Sequence, residues 1–169
     1  MTPPSKAWLA LPVVCVMALY ASFQTADFVF DDPAAVVDNP LVNGQAPWPE
    51  AFSSDFWGER PGFEHIASWR PLTVLSLRLD AAVAPSEASH YRAVNAVWHA
   101  LIVGLITLLV GALTSSRWIA VLLGCVMAIH PVFSEAVASI VGRGDLLASF
   151  WGLLGLTVVL TPRTRDAQG

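Results

Sequence analysis

Charged residues are scarce in this chain, and that scarcity sets its class. Only 13% of the 169 residues are charged whereas 55% are hydrophobic, and the mean hydropathy is +0.59. Soluble domains carry about 25% charged residues, so we expect an integral membrane protein. Nine Lys and Arg against 13 Asp and Glu give a net charge of −4. This balance argues against a nucleic-acid partner, because binding to a phosphate backbone depends on dense basic side chains.

Cysteine is almost absent, which excludes a disulfide framework. Cys15 and Cys125 are the only two cysteines, and both lie inside apolar segments. We expect them to be buried packing residues rather than metal thiolates. A zinc site is not predicted either, since no second histidine stands three or four residues from His130. The sequence has no low-complexity tract and no internal repeat.

Long apolar segments predict an all-α fold of about four transmembrane helices. The windows Ala7–Ala26 and Ala93–Ser116 have the roughly 20 apolar residues that a membrane crossing needs. Trp118–Ile129 and Leu146–Leu160 are shorter and must use flanking residues to cross. An alternative for the first segment is a cleaved signal peptide.

Four crossings return the chain to its starting side, and the basic residues agree with this topology. One face then carries Lys6, Arg117, Arg163 and Arg165, and the positive-inside rule makes that face cytoplasmic. The domains predicted on this basis are a cytoplasmic tip and first helix (1–26), an outer loop (27–92), three further transmembrane helices with a second outer loop at 130–145 (93–162), and a cytoplasmic tail (163–169). The bacterial inner membrane and the endoplasmic reticulum both suit this arrangement, with the long loop in the periplasm or lumen.

The outer loop is acidic and contains a second kind of helix. Residues 27–92 hold ten acidic residues and four arginines, and their many turn signals are accompanied by aromatic residues that suit a folded loop on the membrane surface. Helical spacing relates the apolar residues at 72, 75, 79, 82 and 83. With Pro71 at its first position, this pattern predicts an amphipathic helix over 71–84 lying in the membrane interface. The alternative is a core helix of a small external domain.

Three residues in the outer loop are candidates for chemistry. Asp31 and Asp32 are adjacent, and like charge beside lipid raises the pKa of at least one of them, as a general base requires. The alternative is a solvated turn before Pro33. Arg70 can hold a phosphate through a bidentate contact, or it can serve as an ordinary anchor to lipid headgroups.

Further candidates lie in the second outer loop and the second membrane segment. His130 and Glu135 can line a cavity, or they can be a helix-end histidine and a first-turn glutamate. Arg143 can bind an anionic headgroup or pair with Asp145. In the second segment the polar residues are Tyr91, Asn95 and His99, which follow one another at one-turn spacing; we expect them to hydrogen-bond a neighbouring helix.

Several short sequence motifs, in the same order along the chain, together resemble a known family. From Asp27 to Leu160 the chain is similar to the amino-terminal part of the transmembrane and tetratricopeptide-repeat O-mannosyltransferases, which are multispanning glycosyltransferases of the GT-C type. The resemblance rests on Phe-Val-Phe-Asp-Asp at 28–32, Asp-Asn at 38–39, Asp-Phe-Trp-Gly at 55–58, Arg-Pro-Leu-Thr at 70–73, Asn95 with His99, His-Pro at 130–131, Glu-Ala-Val at 135–137, and Val-Gly-Arg-Gly-Asp-Leu-Leu at 141–147.

The resemblance implies a partial GT-C fold and an inverting transfer of mannose, or a related hexose, from a polyprenyl phosphate to a Ser or Thr hydroxyl of a protein. It implies that Asp31 and Asp32 position or deprotonate the acceptor, with Glu135 as a further catalytic carboxylate. It also implies that Arg70, His130 and Arg143 hold the carrier phosphate. No metal is implied, and the partners are membrane lipid, the polyprenyl-phosphate sugar, the acceptor protein and the remaining transmembrane part of such an enzyme.

The chain departs from the family pattern at Phe133, where members usually have a second histidine, and in having about four spans where members have about ten or more. We therefore expect the amino-terminal portion of such an enzyme, inactive in isolation. Two alternatives stay open: a non-enzymatic or vestigial membrane subunit that pairs with another membrane protein, and a lipid-binding or receptor module whose acidic loop holds a basic ligand.

Overall fold

The structure is a computed structural model that describes residues 7–58 and 68–166, and every regular element in these ranges is helical. The α-helices are α1 (Ala10–Tyr20), α2 (Pro71–Val83), α3 (Ala88–Thr114), α4 (Arg117–Ile129), α5 (Ser134–Ala138) and α6 (Arg143–Asp166). Short 3-10 turns cover Ala7–Leu9, Ala21–Thr25, Trp48–Phe52, Pro131–Phe133 and Ile140–Gly142, and one π-helical turn covers Pro33–Val37. Helices suit apolar segments because they satisfy their backbone hydrogen bonds internally.

Two or three of these segments can cross a membrane. Among the described residues, Ala88–Thr114 and Ile140–Leu160 are long and apolar enough, and α4 with Pro131–Ala138 makes a third if this pair, bent by 50°, is one broken span. Pro131 accounts for the bend because it cannot donate a backbone hydrogen bond. The apolar helix Ala7–Tyr20 is shorter. The structure thus supports a helical membrane protein, while the expected count of four spans is not established.

Helix α3 is the centre of the bundle and packs against α1, α4 and α6. The shared core consists of Val16, Tyr20, Ala96, Ala100, Ile102, Val103, Ala128, Val137 and Leu146. Gly124 of α4 allows close approach, because a Cβ atom there would lie 2.2 Å from Thr107 Oγ1 and 3.0 Å from Pro12 Cγ. Cys15 and Cys125 are half-buried free thiols that contact each other between α1 and α4.

The described part of segment 27–92, which the sequence predicts to be the first outer loop, is packed rather than extended. Its core is formed with α2 and the start of α3, by Ala35, Val36, Leu41, Val42, Ala51, Phe56, Val74, Leu77, Ala88, Tyr91 and Ile140. Asn39 is buried; its Nδ2 donates to the Phe56 carbonyl (2.8 Å) and its Oδ1 accepts from the Leu41 N–H (3.0 Å). Arg78 of α2 donates to the carbonyls of Leu41 (2.9 Å) and Ala46 (2.7 Å). The loop is therefore fixed to α2.

Helix α2 corresponds to the helix expected over 71–84, and most of its apolar stripe faces outward. Leu72, Leu79 and Val83 are 61%, 71% and 74% exposed, whereas Thr73 and Asp80 are buried. A core helix of a soluble domain has the opposite orientation, with its apolar stripe inside.

Candidate active site

A tight turn separates the two adjacent carboxylates. The Asp32 N–H donates to the Val29 carbonyl (3.0 Å), and the Val29 N–H donates to Asp32 Oδ2 (3.2 Å). Asp32 thus closes the turn from both its backbone and its side chain. Asp31, at the corner of the turn, is exposed.

Asp32 also connects the two outer loops. It is only 1% exposed, and its Oδ1 accepts the Ile140 N–H (3.1 Å) from 108 residues further along the chain. Arg92, itself buried at the start of α3, lies 3.4 Å from Asp32 Oδ2. Burial raises the pKa of Asp32 above its usual value, while the hydrogen bonds from Val29 and Ile140 and the charge of Arg92 oppose this rise.

Arg92 extends this connection over three segments. Its guanidinium donates to the carbonyls of Ala26 and Asp27, just before the turn, and to the Ala138 carbonyl (3.1 Å) at the end of α5. A buried guanidinium is costly unless its donors are satisfied. These contacts therefore fix the Asp31 turn relative to α3 and α5.

A polar cavity lies beside this turn. Its volume is about 360 Å³, and its lining residues are Asp31, Arg70, Val132, Glu135, Ala136, Ser139, Val141, Gly142 and Asp145. Four of these side chains are ionisable, three carboxylates and one guanidinium. The cavity joins the first outer loop, the N-terminal ends of α2 and α6, and α5. The structure thus brings Asp31, Arg70 and Glu135 together at one cavity.

Arg70 is exposed and is supported from two sides. Its guanidinium lies over the Phe56 ring at 5.4 Å from the ring centroid, a cation–π contact. Gly144, at the start of α6, is close as well, because a Cβ atom there would lie 3.4 Å from Arg70 Nη1. Among the residues that the structure describes, Arg70 is thus contacted by an aromatic face and a glycine and by no carboxylate within ion-pair distance. Carboxylates at positions 56 and 144 would instead pair with the Arg70 guanidinium and neutralise its charge.

Small residues give the second outer loop its close packing at the cavity. A Cβ atom on Gly142 would lie 2.3 Å from the Ala136 carbonyl oxygen. Glu135 stands in the first turn of α5 and Asp145 in the first turn of α6, and both are exposed. Carboxylates at these positions interact favourably with the helix dipoles.

His130 does not line this cavity. It is exposed, and its Nδ1 accepts the Val132 N–H at 3.2 Å. The histidine therefore caps the 3-10 turn Pro131–Phe133. Its predicted role at the carrier phosphate stays a prediction.

Arg143 is fully buried and is also outside the cavity lining. It donates to Asp80 Oδ2 (2.7 Å), Ser76 Oγ (2.7 Å) and the Tyr91 carbonyl (3.0 Å), and also to Asn95 Oδ1. The expected alternative of a pair with Asp145 is therefore wrong in this structure, since Asp80 is the carboxylate that Arg143 contacts. The contacts join α6 to α2 and α3, so Arg143 holds the frame on which the cavity depends; its predicted binding of phosphate stays a prediction.

Of the polar residues of the second membrane segment, Asn95 hydrogen-bonds a neighbouring helical segment, as expected. The hydrogen bonds expected from Tyr91 Oη and His99 Nε2 are not formed within the described residues, where both atoms are buried without a hydrogen-bond partner. Asn95 Nδ2 donates to the carbonyls of Ser139 (2.8 Å) and Val137 (3.3 Å). His99 is 1% exposed, and its ring packs against the rings of Tyr20 (5.7 Å between centroids) and Phe133 (5.5 Å). Within residues 7–58 and 68–166, no group of three or more His, Cys, Asp or Glu side chains is arranged to hold a metal ion.

The roles of Arg92, Asp80 and Ser76 were not predicted from the sequence. A signal was available for the two charged residues, because each stands in an apolar helical segment where an unpaired charge is costly. Their partners could not be read from local spacing, since Asp32 and Arg92 are 60 residues apart and Asp80 and Arg143 are 63 apart.

Fold and cavity together define a helical membrane protein with a charged cavity between the Asp31 turn, Arg70, α5 and the start of α6. Comparison with known proteins confirms the family resemblance: the chain is related to the TMTC protein O-mannosyl-transferases. It is 38% identical over 143 residues to the protein O-mannosyl-transferase TMTC2 of Mus musculus. This match covers 83% of this chain and 17% of that protein. It is 39% identical over 139 residues to Tmtc2 of Drosophila melanogaster (80% of this chain, 15% of that protein).

A relative of another subtype gives the same result. The chain is 36% identical over 146 residues to the protein O-mannosyl-transferase TMTC3 of Homo sapiens, covering 86% of this chain and 16% of that protein. The chain thus spans about a sixth of the length of these relatives. No protein-family model matches it, and no solved structure matches it.

Proposed function

We propose that this chain contributes the acceptor-side catalytic loop of a membrane glycosyltransferase that moves mannose, or another hexose, from a polyprenyl phosphate to Ser or Thr hydroxyls of proteins. The observation that supports this most is the convergence of Asp31, Glu135 and Arg70 on one cavity. A carboxylate base and a cation for the leaving phosphate are the two groups that such a displacement needs.

Asp31 is the general base of this proposal. It lines the cavity and is exposed to an incoming hydroxyl. The Asp32 carboxylate is instead buried, accepts two backbone N–H groups and contacts Arg92. As the hydroxyl oxygen attacks the anomeric carbon, its proton passes to Asp31 and the bond to the phosphate oxygen breaks. A carboxylate activates the attacking oxygen in inverting glycosidases in the same way. Asp32 is then a positioning residue that keeps Asp31 at the corner of the turn.

Arg70 stabilises the negative charge that develops on the leaving phosphate. Its planar guanidinium suits a bidentate contact with phosphate oxygens, and Arg70 lines the cavity while its guanidinium carbon lies over the Phe56 ring. Glu135 lines the same cavity from α5 and is suited to accept hydrogen bonds from sugar hydroxyls. No metal enters the proposed step.

The membrane interface is the proposed location of this site. Helix α2 begins directly after Arg70, and its exposed stripe of Leu72, Leu79 and Val83 suits an interfacial position. A lipid-linked donor would then meet Arg70 at headgroup level while its polyprenyl chain stays in the bilayer. The cavity opens, in this proposal, to the periplasm or to the lumen of the endoplasmic reticulum.

The test is a transfer assay on the protein in its native membranes, with polyprenyl-phosphate mannose and a Ser/Thr acceptor peptide. Asp31→Asn should lower the transfer rate by about 10²–10⁴-fold, the usual contribution of a general base. Arg70→Gln should lower it by about 10²–10³-fold, as the loss of one charge-stabilising donor does. The matched control is Asp38→Asn, an exposed acid of the same loop outside the cavity.

The rival function, a non-enzymatic membrane subunit, predicts a different result. In that case Asp31→Asn and Arg70→Gln would behave like Asp38→Asn, and co-purification of a membrane partner would persist. Equal transfer by all three variants would overturn the proposed roles of Asp31 and Arg70.

A further inference from the structure

The turn that presents Asp31 also presents an aromatic residue under strain. Phe30 has a φ of 51°, in the left-handed region that favours glycine and disfavours bulky side chains. It is also 99% exposed, so no packing within the described residues explains its presence. Strained backbone is retained where the surroundings fix it, and it is concentrated at functional sites.

The surroundings do fix this turn. Asp32 closes it with two hydrogen bonds to Val29, and the Asp31 carbonyl accepts the Ala35 N–H (2.9 Å) at the start of the π-helical turn. Glycine or asparagine would adopt the same backbone at lower cost. An exposed phenylalanine at this corner is therefore better explained by what its side chain contacts than by the turn itself.

The position next to Asp31 suggests what that contact is. A hydroxyl that gives its proton to Asp31 must come within about 3 Å of the carboxylate. Consecutive Cα atoms are about 3.8 Å apart, and an extended chain advances about 3.3–3.6 Å per residue. Phe30 is not itself a lining residue of the cavity, but these spacings allow the residues that flank the acceptor Ser or Thr to reach its exposed ring.

From this we infer that Phe30 is a specificity-determining residue that binds an apolar side chain within two residues of the acceptor Ser or Thr. The inference rests on the proposed function, because it needs Asp31 at the acceptor hydroxyl. It extends that function to a substrate class: extended polypeptide segments in which apolar or aromatic residues flank the modified hydroxyl. The Phe30 ring could instead contact a polyprenyl chain or the bilayer surface. The cross-linking experiment distinguishes these lipid ligands from a peptide.

The first experiment detects contact without requiring transfer. Phe30→p-benzoylphenylalanine is introduced into the protein in native-membrane vesicles and irradiated with one of two acceptor peptides, in which Thr is flanked by Val and Tyr or by Gly and Ser. We expect cross-links to the first peptide at several times the yield of the second. The matched control is Phe52→p-benzoylphenylalanine, since Phe52 is a 47% exposed phenylalanine of the same loop that does not neighbour Asp31 in the chain. Cross-links only to lipid, equal yields from both peptides, or no cross-link would overturn the inference.

The second experiment compares stability with acceptor binding. Phe30→Gly relieves the left-handed backbone, so thermal unfolding should occur at the same or a higher temperature than in the wild type. The acceptor KM for the Val/Tyr peptide should nevertheless rise about tenfold, as loss of one apolar contact predicts, with kcat and the donor KM little changed. Phe30→Leu should recover most of the loss. A purely structural role would shift stability and leave the two peptides equally bound.

The experiments can refute the inference about Phe30 and the proposed role of Asp31 independently of each other. If Asp31→Asn abolishes transfer but Phe30 gives no peptide cross-link, the inference about Phe30 is wrong and the proposed function stands. If Phe30 cross-links the apolar-flanked peptide but Asp31→Asn transfers normally, the proposed role of Asp31 is wrong and a peptide-binding role remains.

Discussion

Asp31 and Asp32 are neighbours in one turn, but their side chains point in different directions. Asp32 points into the protein, where it accepts the N–H groups of Val29 and Ile140 and contacts Arg92. Asp31 points to the cavity. One side chain can thus be fixed for structure while its neighbour stays available for chemistry. The sequence pattern could not distinguish them because both are aspartates before the same proline.

At this scale we expect Asp32 to matter for stability rather than for proton transfer. Asp32→Ala would leave Arg92 buried without its carboxylate, which typically costs about 3–5 kcal/mol of unfolding free energy. Asp32→Asn should cost less, because an amide oxygen can still accept one of the N–H groups and burial already disfavours the charged form, as the raised pKa indicates.

Thermal unfolding of the purified protein in a mild detergent measures this difference. Asp38→Ala serves as the control, since an exposed acid should change stability by no more than about 0.5 kcal/mol. Equal unfolding temperatures for Asp32→Ala and Asp38→Ala would show that Asp32 does not hold the outer loops.

At the scale of elements, buried charge pairs join helices that apolar packing alone would allow to slide. Arg143 at the start of α6 contacts Asp80 of α2 and Asn95 of α3. The second carboxylate oxygen of Asp80 lies 3.5 Å from His90 Nε2. Directional contacts of this kind fix the position of Gly144, and thereby the space in which Arg70 lies.

We predict strong coupling between Asp80 and Arg143. Arg143→Met leaves the Asp80 carboxylate buried, with His90 as its remaining ion-pair partner among the described residues, and should destabilise the protein by about 3–5 kcal/mol. The double variant Arg143→Met with Asp80→Leu should recover part of that loss, because neither charge is left unpaired. A double-mutant cycle of unfolding free energies tests this; additive effects of the two substitutions would mean that the pair does not act as a unit.

For the whole molecule, local pattern predicted the helices better than their connections. The apolar run after Ala93 and the amphipathic spacing after Pro71 correspond to α3 and α2, because 3.6-residue periodicity is a local property. The first apolar segment was expected to be a full span, but its α-helix ends at Tyr20 and continues as a 3-10 turn. The cavity could be anticipated only through the family resemblance, since it combines residues from position 31 to position 145.

Whole-molecule topology leads to the last prediction. Helix α3 has 27 residues, and at about 1.5 Å per residue its length of roughly 40 Å exceeds the hydrocarbon thickness. This length is sufficient to cross the bilayer, and we predict that α3 does so, with its two ends on opposite faces of the membrane. In a Cys15→Ser and Cys125→Ser background, Ser53→Cys in the first outer loop and Ser115→Cys after α3 should react with a membrane-impermeant maleimide from opposite sides of sealed vesicles. Both sites are exposed, and the substitutions change one atom each. Labelling of both from the same side would mean that α3 does not cross the bilayer. The proposed location of the cavity on the outer face would then be wrong as well.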